Sequence, residues 1–249
     1  NLAWYSHLMK LIKTLPTILF ISLLSSPSWS VTFGELVERD GLYYEKFTDV
    51  PYTGKVTGEE QGSFRNGERE GTWVSYWENG QLSFKENYKN GQREGTWVGY
   101  YDNGQLWYKG DYNDSVEKSK NGDKDGTWVH YWKNGQLRIK YNYKNDKFER
   151  AFVSYHENGQ LNGKGNYKNG KEEGASVQYY ENGQLNNKQN HKGGKLEGAA
   201  VKYYENGQLQ YKGNYKNGKE EGAWVVYHED GTVWLKFTGT FKDGVKIND

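Results

Sequence analysis

Residues 71–94 read Gly-Thr-Trp-Val-Ser-Tyr-Trp-Glu-Asn-Gly-Gln-Leu-Ser-Phe-Lys-Glu-Asn-Tyr-Lys-Asn-Gly-Gln-Arg-Glu, and this stretch decides the fold. Two segments, 72–77 and 82–88, are rich in aromatic and β-branched residues and alternate in polarity, which is the chemistry of half-buried strands. Asn79-Gly80 separates them, and both residues accept a positive φ at little cost, so the pair signals a hairpin turn. Asn90-Gly91 makes a second turn into the next segment. One such unit is a β-hairpin, and a row of them is an antiparallel meander.

The unit recurs. The Tyr four residues before the turn Gly returns as Tyr76, Tyr100, Tyr131, Tyr155, Tyr179, Tyr203 and Tyr227, at steps of 24 residues with one step of 31. A fixed period in this range means stacked repeats, each burying its apolar face only against its neighbours. The predicted fold is therefore all-β: an elongated antiparallel β-meander of tandem hairpin repeats, about 24 residues each, advancing about 10 Å per two-strand unit. Hydrophobic residues make up only 34% of the chain, too few for a thick globular core, while 22 Tyr, 10 Trp and 9 Phe supply rings wide enough to cover a thin sheet.

Register assigns the faces. A three-residue turn with Gly80 as the bulge residue puts Val74 and Tyr76 on one apolar face with Leu82, Phe84 and Tyr88. The other face then carries Lys85, Lys109, Lys140, Lys164, Lys188, Lys212 and Lys236. An acidic row, Glu70, Glu94, Asp125, Glu149, Glu173, Glu197 and Glu221, follows the second turn and reads as solvated. Gly110, Gly165 and Gly213 stand where the first copy has Glu86, and there they would let the sheet bend.

The ends differ from the middle. Met9 precedes Lys10, Lys13, a ten-residue apolar run over 15–24 and small residues at Ser28 and Ser30. That order is a secretory signal peptide over 9–30, cleaved before Val31; the run is about half the ~20 residues a membrane-spanning helix needs. Residues 1–8, upstream of the only Met, read as untranslated. Residues 31–61 read as a divergent N-terminal capping repeat and 62–249 as the array, with a polar inserted loop near 114–121. The expected location is the periplasm or the exterior.

Chemistry is sparse. Lys plus Arg number 33 against 32 Asp plus Glu, so no global field attracts nucleic acid. Cysteine is absent, which excludes disulfides, a thiol nucleophile and Cys-zinc sites. The five His form no metal-ligand spacing, and no nucleophile elbow or phosphate loop is present, so no catalytic, cofactor or metal residues are assigned. After cleavage of the leader no membrane contact is expected. The residues with most binding potential are Trp73, Trp77, Trp97, Tyr101, Trp128 and Trp132, a ladder of rings opposite the Val/Tyr/Leu face that packs as a second layer or meets a ligand.

The string Gly-Asn-Tyr-Lys-Asn-Gly-Lys-Glu-Glu-Gly-Ala-Trp-Val-Val-Tyr at 213–227, with its Tyr-x-Asn-Gly and Glu-Gly-x-Trp elements, resembles the bacterial variant of the MORN repeat. Proteins of this kind are similar to the YwqK-type antitoxin family. The resemblance implies a β-hairpin array, an antitoxin role with a toxin as partner, and no catalytic residues. The residues themselves point to an exported, non-enzymatic scaffold for a protein partner. Two alternatives stand beside it: an antitoxin or immunity protein, and a glycan-binding module using the Trp/Tyr ladder.

Overall fold

A computed structural model describes residues 30–113 and 123–248. The segment 1–8, the leader at 9–30 (except Ser30) and the insert at 114–121 lie outside the described residues. No α-helix occurs among the described residues; two single 3₁₀ turns, Phe33–Glu35 and Leu235–Phe237, are the only helical elements there. The molecule is the tandem-hairpin meander: 22 strands form one sheet, and Leu36–Arg39 pairs with Leu42–Glu45 in a separate two-stranded sheet.

The first full repeat shows how the sequence builds the hairpin. Strand Glu68–Tyr76 runs antiparallel to Leu82–Lys89. Between them Gly80 N–H donates to Trp77 O at 2.8 Å, and Trp77 N–H donates to Gln81 O at 2.8 Å. Gly80 sits at φ 80°, so the turn is a type I turn closed by a left-handed glycine, with Asn79 Oδ1 accepting from Gln81 N–H at 3.0 Å. At the turn mouth Tyr76 faces Leu82, the register a three-residue turn dictates.

One step further the register shifts, and this overturns the expected faces. Ser83 is an extra residue, so Ser75 pairs with Phe84, Val74 with Lys85 and Trp73 with Glu86. A first one-residue shift at Gly80 is cancelled by a second at Ser83, and every side chain beyond the bulge changes side. Tyr76, Leu82 and Val74 do share a face. Phe84 and Tyr88 leave it for the Trp73 face, and Lys85 joins it. The same shift recurs between Leu106 and Tyr108, and between the corresponding residues of the later repeats.

Lysines and valines consequently alternate across the sheet in one row. Val74 pairs Lys85, Lys85 pairs Val98, Val98 pairs Lys109, and the pattern continues to Lys212 and Val225. Lys236 is not in this row; it lies in the 3₁₀ turn Leu235–Phe237.

The Trp side is the core. Trp73, Trp97 and Trp128 are 2%, 5% and 2% exposed. They interleave with the tyrosines edge-on: Tyr88 to Trp97 at 5.2 Å, Trp97 to Tyr112 at 5.1 Å, Tyr112 to Trp128 at 5.1 Å between ring centroids. Edge-to-face geometry sets the positive ring edge against the negative ring face. At the N-terminal end Leu36, Tyr52, Val56 and Phe64 close over Trp73, with Phe33 and Tyr43 packed alongside.

The glycines opposite the Trp row make room rather than bends. A Cβ on Gly110 would lie 2.0 Å from the Trp128 indole, and one on Gly213 would lie 2.3 Å from that of Trp224. Gly165 likewise has Phe152 at 2.7 Å. The ring lies flat on bare backbone, which is how a thin sheet hides so large a side chain.

Each repeat opens with a left-handed residue, Gly71, Gly95, Gly126, Gly174, Gly198 and Gly222 at φ 60–82°. Arg150 occupies the same place at φ 66°. A non-glycine residue there costs roughly 1–2 kcal/mol, offset in part by the greater chain entropy that glycine loses on folding. Arg150→Gly is expected to stabilise the protein by about 1 kcal/mol, seen as a higher urea midpoint at unchanged slope.

Candidate functional site

Polar side chains at both ends of the strands are used to tie one repeat to the next. At the hairpin turns, Asn79 Nδ2 donates to Asp102 O at 2.6 Å, Asn158 Nδ2 to Glu181 O at 2.9 Å and Asn182 Nδ2 to Glu205 O at 2.9 Å. The ring after each repeat Tyr does the same: Trp77 Nε1 reaches Tyr100 O at 3.1 Å, Tyr101 Oη reaches Tyr131 O at 2.8 Å, and Trp132 Nε1 reaches Tyr155 O at 3.1 Å. His156 stands in this position too, with Nε2 3.0 Å from Tyr179 O.

The acidic row works at the other end, and is not simply solvated. Glu70 accepts from Asn90 N–H at 2.8 Å, Glu149 from Asn169 N–H at 2.7 Å and Glu173 from Gly193 N–H at 2.7 Å. Each of these three carboxylates thus closes the second turn of the following repeat, and charge-assisted bonds of this type are the stronger ones.

The six aromatic candidates therefore separate into two groups. Trp73, Trp97 and Trp128 are core. Trp97 Nε1 donates to Asn87 O at 3.1 Å and Trp128 Nε1 to Asp111 O at 3.1 Å; Trp73 Nε1 has no acceptor among the described residues. Trp77, Tyr101 and Trp132 lie at the turn edge, where Trp77 is 38% exposed and the other two are half-buried.

A cation covers each of the first three buried indoles. Arg69 lies 4.3 Å from the Trp73 centroid, Arg93 4.9 Å from that of Trp97 and Lys124 4.5 Å from that of Trp128. The residue sits four positions before its Trp each time, a spacing visible in Arg-Glu-Gly-Thr-Trp and Lys-Asp-Gly-Thr-Trp. Contacts of this kind contribute about 0.5–2 kcal/mol each. Burial pushes the Lys124 ammonium below its ordinary range, opposed by the Asp146 carboxylate.

In a later repeat the three positions change together. Glu172, Ser176 and His191 replace the cation, the Trp and the Tyr. His191 Nε2 lies 3.1 Å from Glu172 Oε2, and its Nδ1 lies 3.4 Å from Ser176 Oγ. His191 is 9% exposed. This trio is the polar counterpart of the aromatic stack, filling the same space with hydrogen bonds.

Burial also holds the tyrosines protonated. Tyr108 is pushed up to about 12 by burial and then by the nearby Glu86 and Tyr112, and Tyr143 to about 12 by burial and then by Tyr141 and Asp146. Tyr88 and Tyr215 are raised further, again by burial first. A raised folded value means this stability is complete below the unfolded value near 10 and is lost as pH climbs through about 12. Strand circular dichroism should collapse in that window, in step with a cooperative rise of tyrosinate absorbance.

Two hollows remain. On the Trp side, a cavity of about 500 Å³ is lined by Trp107, His130, Trp132, Arg138, Ile139 and Tyr141. Arg138 stacks over the Trp132 ring at 4.6 Å, and burial depresses the His130 imidazole, helped by Lys124 and Arg138. On the Val/Lys side, an open groove of about 720 Å³ crosses Val153, Lys164, Val177 and Lys188 in turn. Sequence reasoning missed Trp107, Arg138 and Tyr141 because Trp107 and Arg138 occupy the Ser83-type bulge position and Tyr141 follows it, where strict alternation fails. Among the described residues no His, Asp or Glu cluster could hold a metal, and no helix is long and apolar enough to cross a membrane.

An array of interlocked hairpins with open faces defines a binding repeat protein. The family model for the MORN repeat variant matches residues 69–90, 93–114, 124–145, 151–169, 172–192 and 196–217, just over half of the chain, and the chain belongs to that family. Repeats of this type are non-enzymatic and generally bind protein or lipid. No curated protein matches the chain.

Proposed function

We propose that the protein is an exported, non-enzymatic scaffold that holds a protein partner at the Trp107–Trp132–Arg138 hollow. The observation that carries this reading is the composition of that hollow. Trp, Tyr and Arg around a cavity of about 500 Å³ are the side chains that anchor protein interfaces. The half-exposed Trp77 and Tyr101 extend the same turn edge toward the N-terminus. Export rests on the leader read from residues 9–30. A toxin is one partner of this kind, and the antitoxin role rests on the family resemblance.

The test is fractionation of cells expressing the tagged full chain, with a photo-crosslinker at position 107. The reading expects the chain outside the cytoplasm and one dominant crosslinked protein, lost in Arg138→Glu. Among the described residues Arg138 makes no hydrogen bond or ion pair to another repeat, so this variant should fold. A cytoplasmic chain sinks the export claim. Crosslinking that survives Arg138→Glu sinks the hollow as the docking point.

A further inference from the structure

The turn asparagines and the Glu149-type carboxylates at the strand ends are engaged by a neighbouring repeat; a stripe on the Val/Lys face is not. Lys85, Lys109, Lys140, Lys164, Lys188 and Lys212 are exposed, and among the described residues they form no ion pair and donate no side-chain hydrogen bond. Beside Lys164 and Lys188 the next positions on this face are the amides Asn166 and Asn190, whereas Asp111 stands beside Lys109 nearer the N-terminal end of the stripe. The carboxylates of Glu149 and Glu173 are held by backbone N–H groups at the far end of the strands. Along the opposite flank runs the repeat Tyr row, with Tyr155, Tyr179 and Tyr203 half-buried and their hydroxyls unpaired among the described residues. Asn166 and Asn214, next to the lysines, also carry free amides.

All three rows share one period. Successive lysines are two strands apart, about 10 Å. The groove over Val153 and Val177 unites the rows in one surface, since Lys164, Lys188, Asn166, Tyr179 and Leu185 all line it. Ala151 and Ala175 keep its floor low.

We propose that this face binds a linear anionic polysaccharide with one carboxylate per disaccharide, laid across the strands along the lysine row. A two-sugar unit of an extended glycan is as long as the lysine spacing, so each repeat meets the same chemical unit. Lysine takes the carboxylate, the Tyr ring stacks on the apolar face of a sugar, and amide and hydroxyl groups meet the sugar hydroxyls. A ring-free polyanion would leave the Tyr row idle. The acidic surface of a folded protein has no such period.

The probe is hyaluronan oligosaccharides of increasing length, titrated calorimetrically into the full chain. Affinity should rise with each added disaccharide and fall with salt. Lys164→Gln with Lys188→Gln should weaken binding at least tenfold, while the double Arg variant retains it. Tyr179→Ala should weaken hyaluronan but leave any residual polyphosphate binding unchanged. Absence of hyaluronan binding at every length overturns the proposal. So does polyphosphate binding as tightly as hyaluronan with no effect of Tyr179→Ala, or neutral chitin oligosaccharides binding equally well. Arg138→Glu lies on the other face and should leave these titrations unchanged, which separates this result from the fate of the protein-partner reading.

Discussion

Trp128→Ala is expected to destabilise the array by about 3–5 kcal/mol, the range for truncating a fully buried large aromatic. The indole is 2% exposed and meets Tyr112 at 5.1 Å, Tyr143 at 6.2 Å and the Lys124 ammonium at 4.5 Å. Its Nε1 donates to Asp111 O, so truncation also strands a carbonyl. A thin sheet has no second layer to collapse into the space. Urea unfolding followed by Tyr fluorescence should show the loss, and Lys124 should regain an ordinary ammonium titration once the ring beneath it is gone. A loss below about 1 kcal/mol would mean that the indole is not the keystone of this stretch.

Gly110→Val is the second large effect, and its cause is the reverse. A Cβ there would stand 2.0 Å from the Trp128 ring, a distance no real contact reaches. The ring cannot swing away, because Tyr108 stacks on it at 6.0 Å and Tyr112 meets its edge. Overpacking of this kind costs typically 1–3 kcal/mol, and a rigid indole against backbone belongs at the upper end. The decisive measurement is the double variant: with Trp128→Ala in place, Gly110→Val should cost far less, a coupling above about 1 kcal/mol. Additive costs would show that Gly110 serves the backbone and not the ring.

The hairpins, their period and the glycine of each turn were legible in residues 71–94, because turn chemistry and β-propensity act over a few residues. The left-handed Gly80 followed from Asn79-Gly80 alone. The faces were not legible. Ser83 carries no signal for a bulge, and one extra residue inverts every side chain after it, so Lys85 was placed opposite Val74 instead of beside it. The three core indoles are recognisable by type, but the burial of Trp73 and Trp128 depends on Gly62 and Gly110, one strand away. Trp77, Tyr101 and Trp132 cannot be told from the core indoles in the ladder by sequence, because their acceptors are carbonyls 23 or 30 residues onward. The acidic row misled for the same reason, its N–H partners standing about 20 residues along.

The single long step between Tyr100 and Tyr131 has an engineering consequence. Strand Leu106–Asn113 and strand Asp123–Tyr131 remain paired as far as Asn113 and Asp123, and Tyr101 still reaches Tyr131 O across 30 residues. The surplus chain therefore departs from two adjacent, fully laddered strand ends. Closing a longer excursion there costs only about 0.6 kcal/mol for each doubling of its length. That junction is a natural port for grafted cargo: a fluorophore-bearing peptide or a whole small domain can be spliced in while the rods on either side keep their lattice.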